Sequence, residues 1–244
     1  MGILSRRKYT AALTAVALAG SLLLAGAPAQ AAKKPIDITG FNASDQVVSN
    51  SNCRRVKISA KLKKNYTGIT NVGYWLTSSV SRNGGEVDSA WFADTTVDYV
   101  QICPSFEGLG AYKIGPTDIS VDYEYVDRDG YQSYGFSNYW DTTSKTIYLR
   151  GKTKSTLTAK RSGKNVTLTT SASVYSPEKY RYAQYNPTAK LQVKSGTRWK
   201  TLKTAKLKSG KATFKLKESK KKTYRVTIPK ASWATAVTSK SVSK

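Results

Sequence analysis

Apolar and polar residues alternate along most of the chain with a period of two, which is typical of a β-strand with one buried face. Val56, Ile58, Ala60 and Leu62 alternate with lysine and serine. The same pattern predicts further strands at 72–77, 96–102, 118–126, 146–149, 155–159, 165–171, 189–194, 199–202, 211–216 and 224–228. No segment has the period of an amphipathic helix, so the sequence predicts an all-β protein.

Short strands broken by turn residues favour an antiparallel sandwich over a parallel sheet. Asp129-Gly130 predicts a hairpin turn, and Ser195-Gly196 and Ser209-Gly210 break the strand pattern in the second half. The length after a leader suits two compact domains. We predict two antiparallel β-sandwich domains in tandem, at 32–149 and 150–244, with the boundary near Arg150.

The first 31 residues have the features of a secretory signal peptide. Arg6, Arg7 and Lys8 precede an apolar run that ends in small residues, and Ala29-Gln30-Ala31 fits a cleavage site. The run is shorter than the roughly 20 apolar residues that span a bilayer. We expect cleavage after Ala31, a mature protein with no transmembrane segment, and a location outside the cell or on the cell wall. The export route stays open.

Cys53 and Cys103 are the only cysteines, and the chain contains no histidine. In an oxidising compartment such a pair predicts a disulfide. The lack of histidine removes the usual general base and the commonest metal ligand. Four acids that could bind calcium lie near one turn: Asp122, Glu124, Asp127 and Asp129. However, Arg128 interrupts any calcium loop, and a closing glutamate is missing. We therefore predict no enzyme, no catalytic residue, no metal and no cofactor.

Strand-like segments in the second half of the chain occur at 155–158, 165–168, 189–193, 197–202 and 223–226. In these segments the second half resembles bacterial Ig-like domains of secreted and cell-surface proteins, of the kind found in actinobacteria. This resemblance implies a tandem Ig-like fold and an extracellular location, and it supplies no catalytic residues. In the first half, the order Cys53, Trp75, Cys103 resembles an immunoglobulin core more weakly, because Gln101 stands where that core has a tyrosine.

Charge divides the chain at the predicted boundary. Residues 150–244 hold 25 Lys and Arg against 2 Asp and Glu, a net charge of +23, whereas residues 33–149 hold 12 basic and 13 acidic residues. Twenty of those 25 cations are lysine, which favours diffuse attraction to a polyanion over bidentate recognition. A solvated surface that protects edge strands is the alternative. We predict a monomer that binds teichoic acid, an acidic polysaccharide, an anionic lipid surface or extracellular nucleic acid, without specific DNA recognition.

The cations assigned to this function lie on strands and in the loops between them. In the strand 211–217, lysines are expected to face solvent while Ala212, Phe214 and Leu216 face the core. The predicted polyanion-binding residues are Lys190, Lys194, Lys200, Lys203, Lys206, Lys208, Lys211, Lys215, Lys217, Lys220, Lys221, Lys222 and Arg225.

Two other functions fit the sequence. A glycan-binding module could use Tyr180, Tyr182 and Tyr185, or the pairs Trp91-Phe92 and Tyr139-Trp140, because aromatic rings stack on sugar rings. Alternatively, the near-neutral first domain could bind another protein, or the chain could be a structural surface protein. The sequence does not identify the ligand.

Overall fold

The computed structural model describes residues 34–244, so the predicted signal peptide lies outside the described residues. Residues Lys34–Lys244 form one compact unit. Its structure is almost entirely β-strand; the only helix in this part of the chain is a single 3-10 turn at Pro177–Lys179. No helix among these residues is long and apolar enough to cross a membrane.

The first nine strands form an N-terminal sandwich of two sheets. A three-stranded sheet has the order β1-β3-β6, and a six-stranded sheet has the order β2-β9-β7-β4-β5, with β8 also paired to β7. All pairs are antiparallel except β2 with β9. The strands are β1 (Ile36–Asn42), β2 (Gln46–Val48), β3 (Arg54–Lys64), β4 (Thr70–Arg82), β5 (Gly85–Ala93), β6 (Val97–Ile102), β7 (Gly110–Val126), β8 (Gln132–Asp141) and β9 (Lys145–Gly151).

The other nine strands form a C-terminal sandwich. In one sheet β10 pairs along one edge of β11, and β12 and β15 pair with successive parts of the other edge. The facing sheet has the order β14-β13-β16 with β17 and β18 beside β16. The strands are β10 (Thr153–Ser162), β11 (Asn165–Ser176), β12 (Arg181–Gln184), β13 (Thr188–Ser195), β14 (Arg198–Lys206), β15 (Lys211–Lys217), β16 (Thr223–Ile228), β17 (Val237–Thr238) and β18 (Val242–Ser243). The predicted all-β fold of two tandem sandwiches is confirmed.

Each sandwich has its own apolar core, supplied by alternate residues of the facing strands. Val56 and Ile58 of β3 pack with Ile119 and Val121 of β7 in the first core. Leu168, Leu191 and Phe214 are among the residues that fill the second. Since alternate side chains of a strand point to opposite faces, the period of two in the sequence separates core residues from surface residues.

The predicted disulfide between Cys53 and Cys103 is confirmed. The two cysteines flank a strand pair of one sheet, because Arg54 of β3 pairs with Ile102 of β6. The residues Cys53, Trp75 and Cys103 do not pack together as they do in an immunoglobulin core. The disulfide joins neighbouring strands of one sheet, and Trp75 lies exposed on the outer face of the other sheet.

We expect the Cys53→Ser, Cys103→Ser double variant to lower the free energy of unfolding by about 4 kcal/mol, because the cross-link closes a 50-residue loop in the unfolded chain. Urea denaturation of the variant and of the oxidised wild-type protein gives the difference. An unchanged midpoint would show that the cross-link contributes nothing to stability.

Two side chains of β8 tie the facing sheets together. The Tyr139 hydroxyl donates to the carbonyl of Ile36 at 2.6 Å, and the Asp141 carboxylate accepts the N–H groups of Ile38 at 3.2 Å and Thr143 at 2.7 Å. Burial alone would raise the pKa of Asp141, but these hydrogen bonds outweigh it and hold the pKa below its usual value.

A carboxyl whose pKa is lowered by folding stabilises the protein above its unfolded pKa and loses that contribution as the pH falls. We expect Asp141→Asn to lower the free energy of unfolding at pH 7 by about 1 to 3 kcal/mol. The gap between variant and wild type should narrow as the pH falls through the acid range. Urea denaturation at pH 7 and at pH 3.5 measures both, and a gap independent of pH would contradict this role.

Gly151 lies where the two sandwiches meet. Its N–H donates to the carbonyl of Trp233 at 2.9 Å, and its carbonyl accepts the N–H of Thr235 at 3.0 Å. Tyr175 of β11 packs into the core of the N-terminal sandwich and shares a 2.7 Å hydrogen bond with Ser51. The strand β9 pairs with β2 and β7 of the first sandwich and ends at Gly151. The domain limits 32–149 and 150–244 stay a prediction.

A side chain at Gly151 has no room, since a Cβ there would lie 2.5 Å from the carbonyl oxygen of Tyr175 and 2.9 Å from Leu109 Cδ1. We expect Gly151→Ala to lower the free energy of unfolding by about 1 to 3 kcal/mol. Gly85→Ala is the matched control, because a Cβ there is 3.7 Å from its nearest neighbour. Thermal denaturation compares the two, and equal effects would refute the steric explanation.

Candidate binding surfaces

The outer face of the sheet β10-β11-β15 carries lysines at both edges and hydroxyls between them. Lys160 of β10, Thr167 of β11 and Lys215 of β15 lie in one row across the sheet. The pairing of β11 with β10 and with β15 places further lysines and hydroxyl residues in the adjacent rows of this face. We call this surface the lysine-hydroxyl face; its residues are Lys154, Thr156, Thr158, Lys160, Thr167, Thr169, Ser171, Lys211, Thr213, Lys215 and Lys217.

Hydroxyl pairs link the strands of this face. Thr156 Oγ1 and Ser171 Oγ are 2.6 Å apart, and Thr169 Oγ1 and Thr213 Oγ1 are 3.5 Å apart. None of the three strands contains Asp or Glu. The face is therefore positive without any compensating carboxylate of its own. Lysines at its edge strands also hinder pairing with another sheet.

The opposite outer face of the C-terminal sandwich holds a second set of cations. Lys190 and Lys194 flank Gln192 on β13, as expected, and Lys206 lies on the same side of β14. Arg225 of β16 is held by its neighbours. Its Nε donates to Gln192 Oε1 at 2.8 Å, and its Cζ lies 4.2 Å from the centre of the Trp199 ring.

The remaining predicted cations lie at the sandwich edge and in loops. Lys200 and Lys203 of β14 are on the inward side of an edge strand, and Lys203 Nζ donates to the carbonyl of Lys215 at 3.0 Å. Lys222 pairs with Glu218; the hydrogen bond from Lys222 lowers the pKa of Glu218, and the same contact raises the pKa of Lys222. Lys208, Lys220 and Lys221 lie in exposed loops. The cations therefore surround the sandwich instead of converging on one face.

The three tyrosines proposed for glycan binding do not share a surface. Tyr180 is exposed and has left-handed backbone geometry after the 3-10 turn. Tyr182 is half-buried, edge-on to Tyr175, with Lys154 Nζ 3.6 Å from its ring centre. Tyr185 is only 8% exposed and packs edge-on against Trp233 at 4.9 Å. Burial leaves the Tyr185 ring no free side for stacking.

The largest group of exposed aromatic rings lies on the outer face of the six-stranded sheet. Trp75 is 45% exposed, Trp91 60%, Trp140 59% and Phe136 65%. From the two proposed pairs, Trp91 and Trp140 face solvent, whereas Phe92 is buried and Tyr139 points inward. Sequence reasoning missed Trp75, Tyr134 and Phe136. The signal was available in their spacing, since 134, 136 and 140 share the even parity of β8.

Carboxylates lie between these rings along β7. Asp118 pairs across the sheet with Trp140 on one side and Thr77 on the other, and Thr77 pairs with Trp91. The row through Asp122 contains Phe136 and Gly73. Glu124 lies opposite Tyr134. We call this surface the aromatic-acid face: Trp75, Trp91, Asp118, Asp122, Glu124, Tyr134, Phe136 and Trp140.

Two of these carboxylates have unused acceptor capacity. Asp118 Oδ1 and Asp122 Oδ1 are shielded from solvent and receive no hydrogen bond from any residue in the range 34–244. Glu124 is already engaged, because Oε2 accepts from Asn71 Nδ2 at 2.7 Å and from Gln132 Nε2 at 2.5 Å. The Asp122 carboxylate lies above Gly73, where a Cβ would be 2.6 Å from Oδ1.

The acidic hairpin between β7 and β8 has a structural role. Asp127 Oδ1 accepts the backbone N–H groups of Asp129 at 3.0 Å and Tyr131 at 2.9 Å, and Oδ2 accepts from the Ser133 hydroxyl at 3.2 Å. These bonds close the turn around Gly130. In residues 34–244 no three acidic or cysteine side chains come together as a metal site.

Comparisons with known proteins find no matching family model and no matching curated protein. Among solved structures, fibronectin(III)-like modules of CbhA from Clostridium thermocellum are similar at 13% identity, covering 85% of this chain and 90% of that chain, with a TM-score of 0.30. The D00-D0 domain of intimin is similar at 19% identity over 84% and 98%, with a TM-score of 0.26. The human OSCAR ligand-binding domain is similar at 12% identity, covering 83% of this chain and 96% of that chain, with a TM-score of 0.28. At these TM-scores the similarities support no inference about activity or ligand.

Proposed function

We propose that this chain is a secreted, non-enzymatic adhesion protein of tandem Ig-like sandwiches whose C-terminal sandwich binds anionic polymers of the cell envelope or matrix. The signal-peptide pattern of residues 1–31 supports export. The disulfide is compatible with an oxidising, extracellular location. An origin in an actinobacterial-type bacterium and a monomeric state belong to the same proposal.

The lysine-hydroxyl face carries this proposal. It places five lysines around a column of hydroxyls with no acid on any of its three strands. Lysine ammonium groups attract phosphate or sulfate, and hydroxyls can donate hydrogen bonds to the same oxygens. The only acids after residue 150 are Glu178, in the 3-10 turn, and Glu218, which pairs with Lys222. An anionic polymer would relieve the mutual repulsion of the lysines.

Lys160 and Lys215 indicate how such a polymer would bind. They lie at opposite edges of one row, on either side of Thr167, two strand spacings or about 10 Å apart. A flexible polymer can cross the row and contact both edges. Lysine rather than arginine at these positions favours a ligand defined by its charge density and not by the shape of one group.

We expect the triple variant Lys211→Gln, Lys215→Gln, Lys217→Gln to bind teichoic acid more weakly than wild type, with a shallower salt dependence. Each lost contact lowers the slope of log K against log salt by about 0.7 if the polymer behaves like a single-stranded nucleic acid, so three contacts lower it by about 2. Fluorescence anisotropy with labelled teichoic acid, over a series of salt concentrations, measures the slope.

The matched control is Lys190→Gln, Lys194→Gln, Lys206→Gln, which removes the same charge from the opposite face. We expect it to change the slope by less than 1. Equal effects of the two triple variants would reject the lysine-hydroxyl face as the site. Absence of binding by the wild-type protein at low ionic strength, to both teichoic acid and heparin, would reject the proposed function.

A further inference from the structure

We propose that the aromatic-acid face of the N-terminal sandwich binds an extended polysaccharide of β-linked hexosamine rings that carry free amino groups. This site lies on a different sandwich from the lysine-hydroxyl face and has the opposite charge. The inference therefore goes beyond the polyanion binding proposed above and does not rest on it.

The exposed rings form a platform across four neighbouring strands. Trp140 on β8 and Trp91 on β5 are the ends of one row, three strand spacings or about 14 Å apart, and Trp75 on β4 lies in the adjacent row. Exposed rings grouped on one face of a sheet mark a binding site more often than scattered single rings do. A flat row of rings suits the flat faces of linked pyranoses, whose C–H groups pack on aromatic π-systems.

Charge selects the kind of sugar. The strand segments that build the face contain three carboxylates, from Asp118, Asp122 and Glu124, and no Lys or Arg. This negative surface repels uronates and polyphosphates. It complements an amino sugar, because ammonium groups pair with carboxylates and are also attracted to the faces of tryptophan rings.

The carboxylates of Asp118 and Asp122 lie along the path of a bound chain. Asp118 and Asp122 flank Ser120 along β7, and they stand about 14 Å apart on the same side of the strand. Asp118 lies in the row of Trp140 and Trp91, and Asp122 lies beside Phe136. In both residues Oδ1 is shielded from solvent and has no hydrogen-bond donor in the range 34–244. An ammonium group of a sugar would therefore pair with each carboxylate at its other oxygen.

A second copy of this chain is a less suitable occupant. Its lysines would complement the carboxylates, but two molecules that each carry a formal charge of +25 repel one another over long range. A polysaccharide segment also carries ammonium groups, but only one for each ring, so the chain repels it much less than it repels a second copy. Self-association is accordingly an outcome that the experiment must separate from sugar binding.

Isothermal titration calorimetry of the mature chain, at a pH where the sugar amines are protonated, tests the proposal. The probes are a β-1,4-linked glucosamine hexamer and its fully N-acetylated counterpart. We expect the free-amine hexamer to bind more tightly than the acetylated hexamer. Equal or tighter binding of the acetylated hexamer would overturn the proposal.

Single-ring variants locate the site. We expect Trp75→Ala and Trp140→Ala each to weaken binding of the free-amine hexamer at least about fivefold, since one stacked ring contributes roughly that factor or more. Phe106→Ala and Tyr99→Ala are matched controls, because both rings are exposed on the same sandwich outside this face. All four side chains are at the surface, so thermal denaturation should show intact folding. Equal losses in the controls would overturn the assignment.

Acid variants separate charge from stacking. We expect the double variant Asp118→Asn, Asp122→Asn to weaken binding of the free-amine hexamer at least tenfold. Its affinity for the acetylated hexamer should stay within about twofold of wild type, because only the free-amine hexamer presents ammonium groups. Asp129→Asn, in the exposed turn, is the control. A parallel loss for both sugars would refute charge selection by these carboxylates.

Two further measurements keep this site distinct from the polyanion site. The lysine triple variant should bind the free-amine hexamer as wild type does, whether or not the polyanion proposal holds. Sedimentation velocity should show a monomer whose size is unchanged by Trp140→Ala. If the wild-type protein is a dimer and Trp140→Ala makes it a monomer, the face binds a second copy of the chain and the sugar proposal is overturned.

Discussion

Burial of Ile119 and Val121 fixes the register of β7, and the rest of the N-terminal sandwich depends on that register. This 17-residue strand pairs with β4, β8 and β9, so it aligns three neighbours at once. A shift by one residue would turn Asp118 and Asp122 into the core, where unpaired carboxylates are strongly unfavourable. The same constraint that buries the apolar residues therefore holds the acids on the surface, between the rings of the flanking strands.

The two sandwiches differ in how their charged residues are distributed. Around the C-terminal core the cations occupy both outer faces, an edge and several loops, so their repulsion is spread over the surface. The N-terminal sandwich has three acids, Asp118, Asp122 and Glu124, on its aromatic-acid face, and its other acids lie elsewhere. Where the sandwiches meet, one arginine bonds to both of them. Arg150 Nη1 lies 2.5 Å from Asp45 Oδ2, and Arg150 Nε donates to the carbonyl of Ala231 at 2.9 Å. This arginine closes the junction by bonds to both sides.

The sequence was a good guide to strands whose inner residues are aliphatic. β3, β13 and β15 have that pattern, and the outward lysines of β15 follow from it. The hairpin turn at Asp129-Gly130 implied a strand after it, but the bounds of β8 were not predicted because its pattern is inverted. Its inward residues are small or polar, and its large rings point outward; the inward residues include Ser133, Gly135 and Ser137. Gly135 is needed there because the Tyr123 ring packs over it, and a Cβ would be 2.3 Å from that ring. An inward glycine makes an outward phenylalanine look like a core residue.

Pairing between distant strands explains the other failures. Nothing local in β15 indicates that it joins β11, more than 40 residues earlier, and only this pairing gathers Lys160 and Lys215 on one face. Likewise, the presence of a disulfide followed from cysteine number and export, but its place between adjacent strands depends on the pairing of β3 with β6. Sequence patterns assign a side chain to one of two faces; the order of strands decides which other side chains share that face.

The exposed rings of β8 also create a hazard that the charge pattern offsets. β8 pairs only with β7, so it is an edge strand, and outward Tyr134, Phe136 and Trp140 would favour contact with another copy. The carboxylates of β7 interrupt this apolar surface in three of its four rows, at Asp118, Asp122 and Glu124. The excess of lysine elsewhere makes two chains repel before such edges meet. A strongly positive chain can therefore keep an exposed aromatic face available to a ligand without losing its solubility.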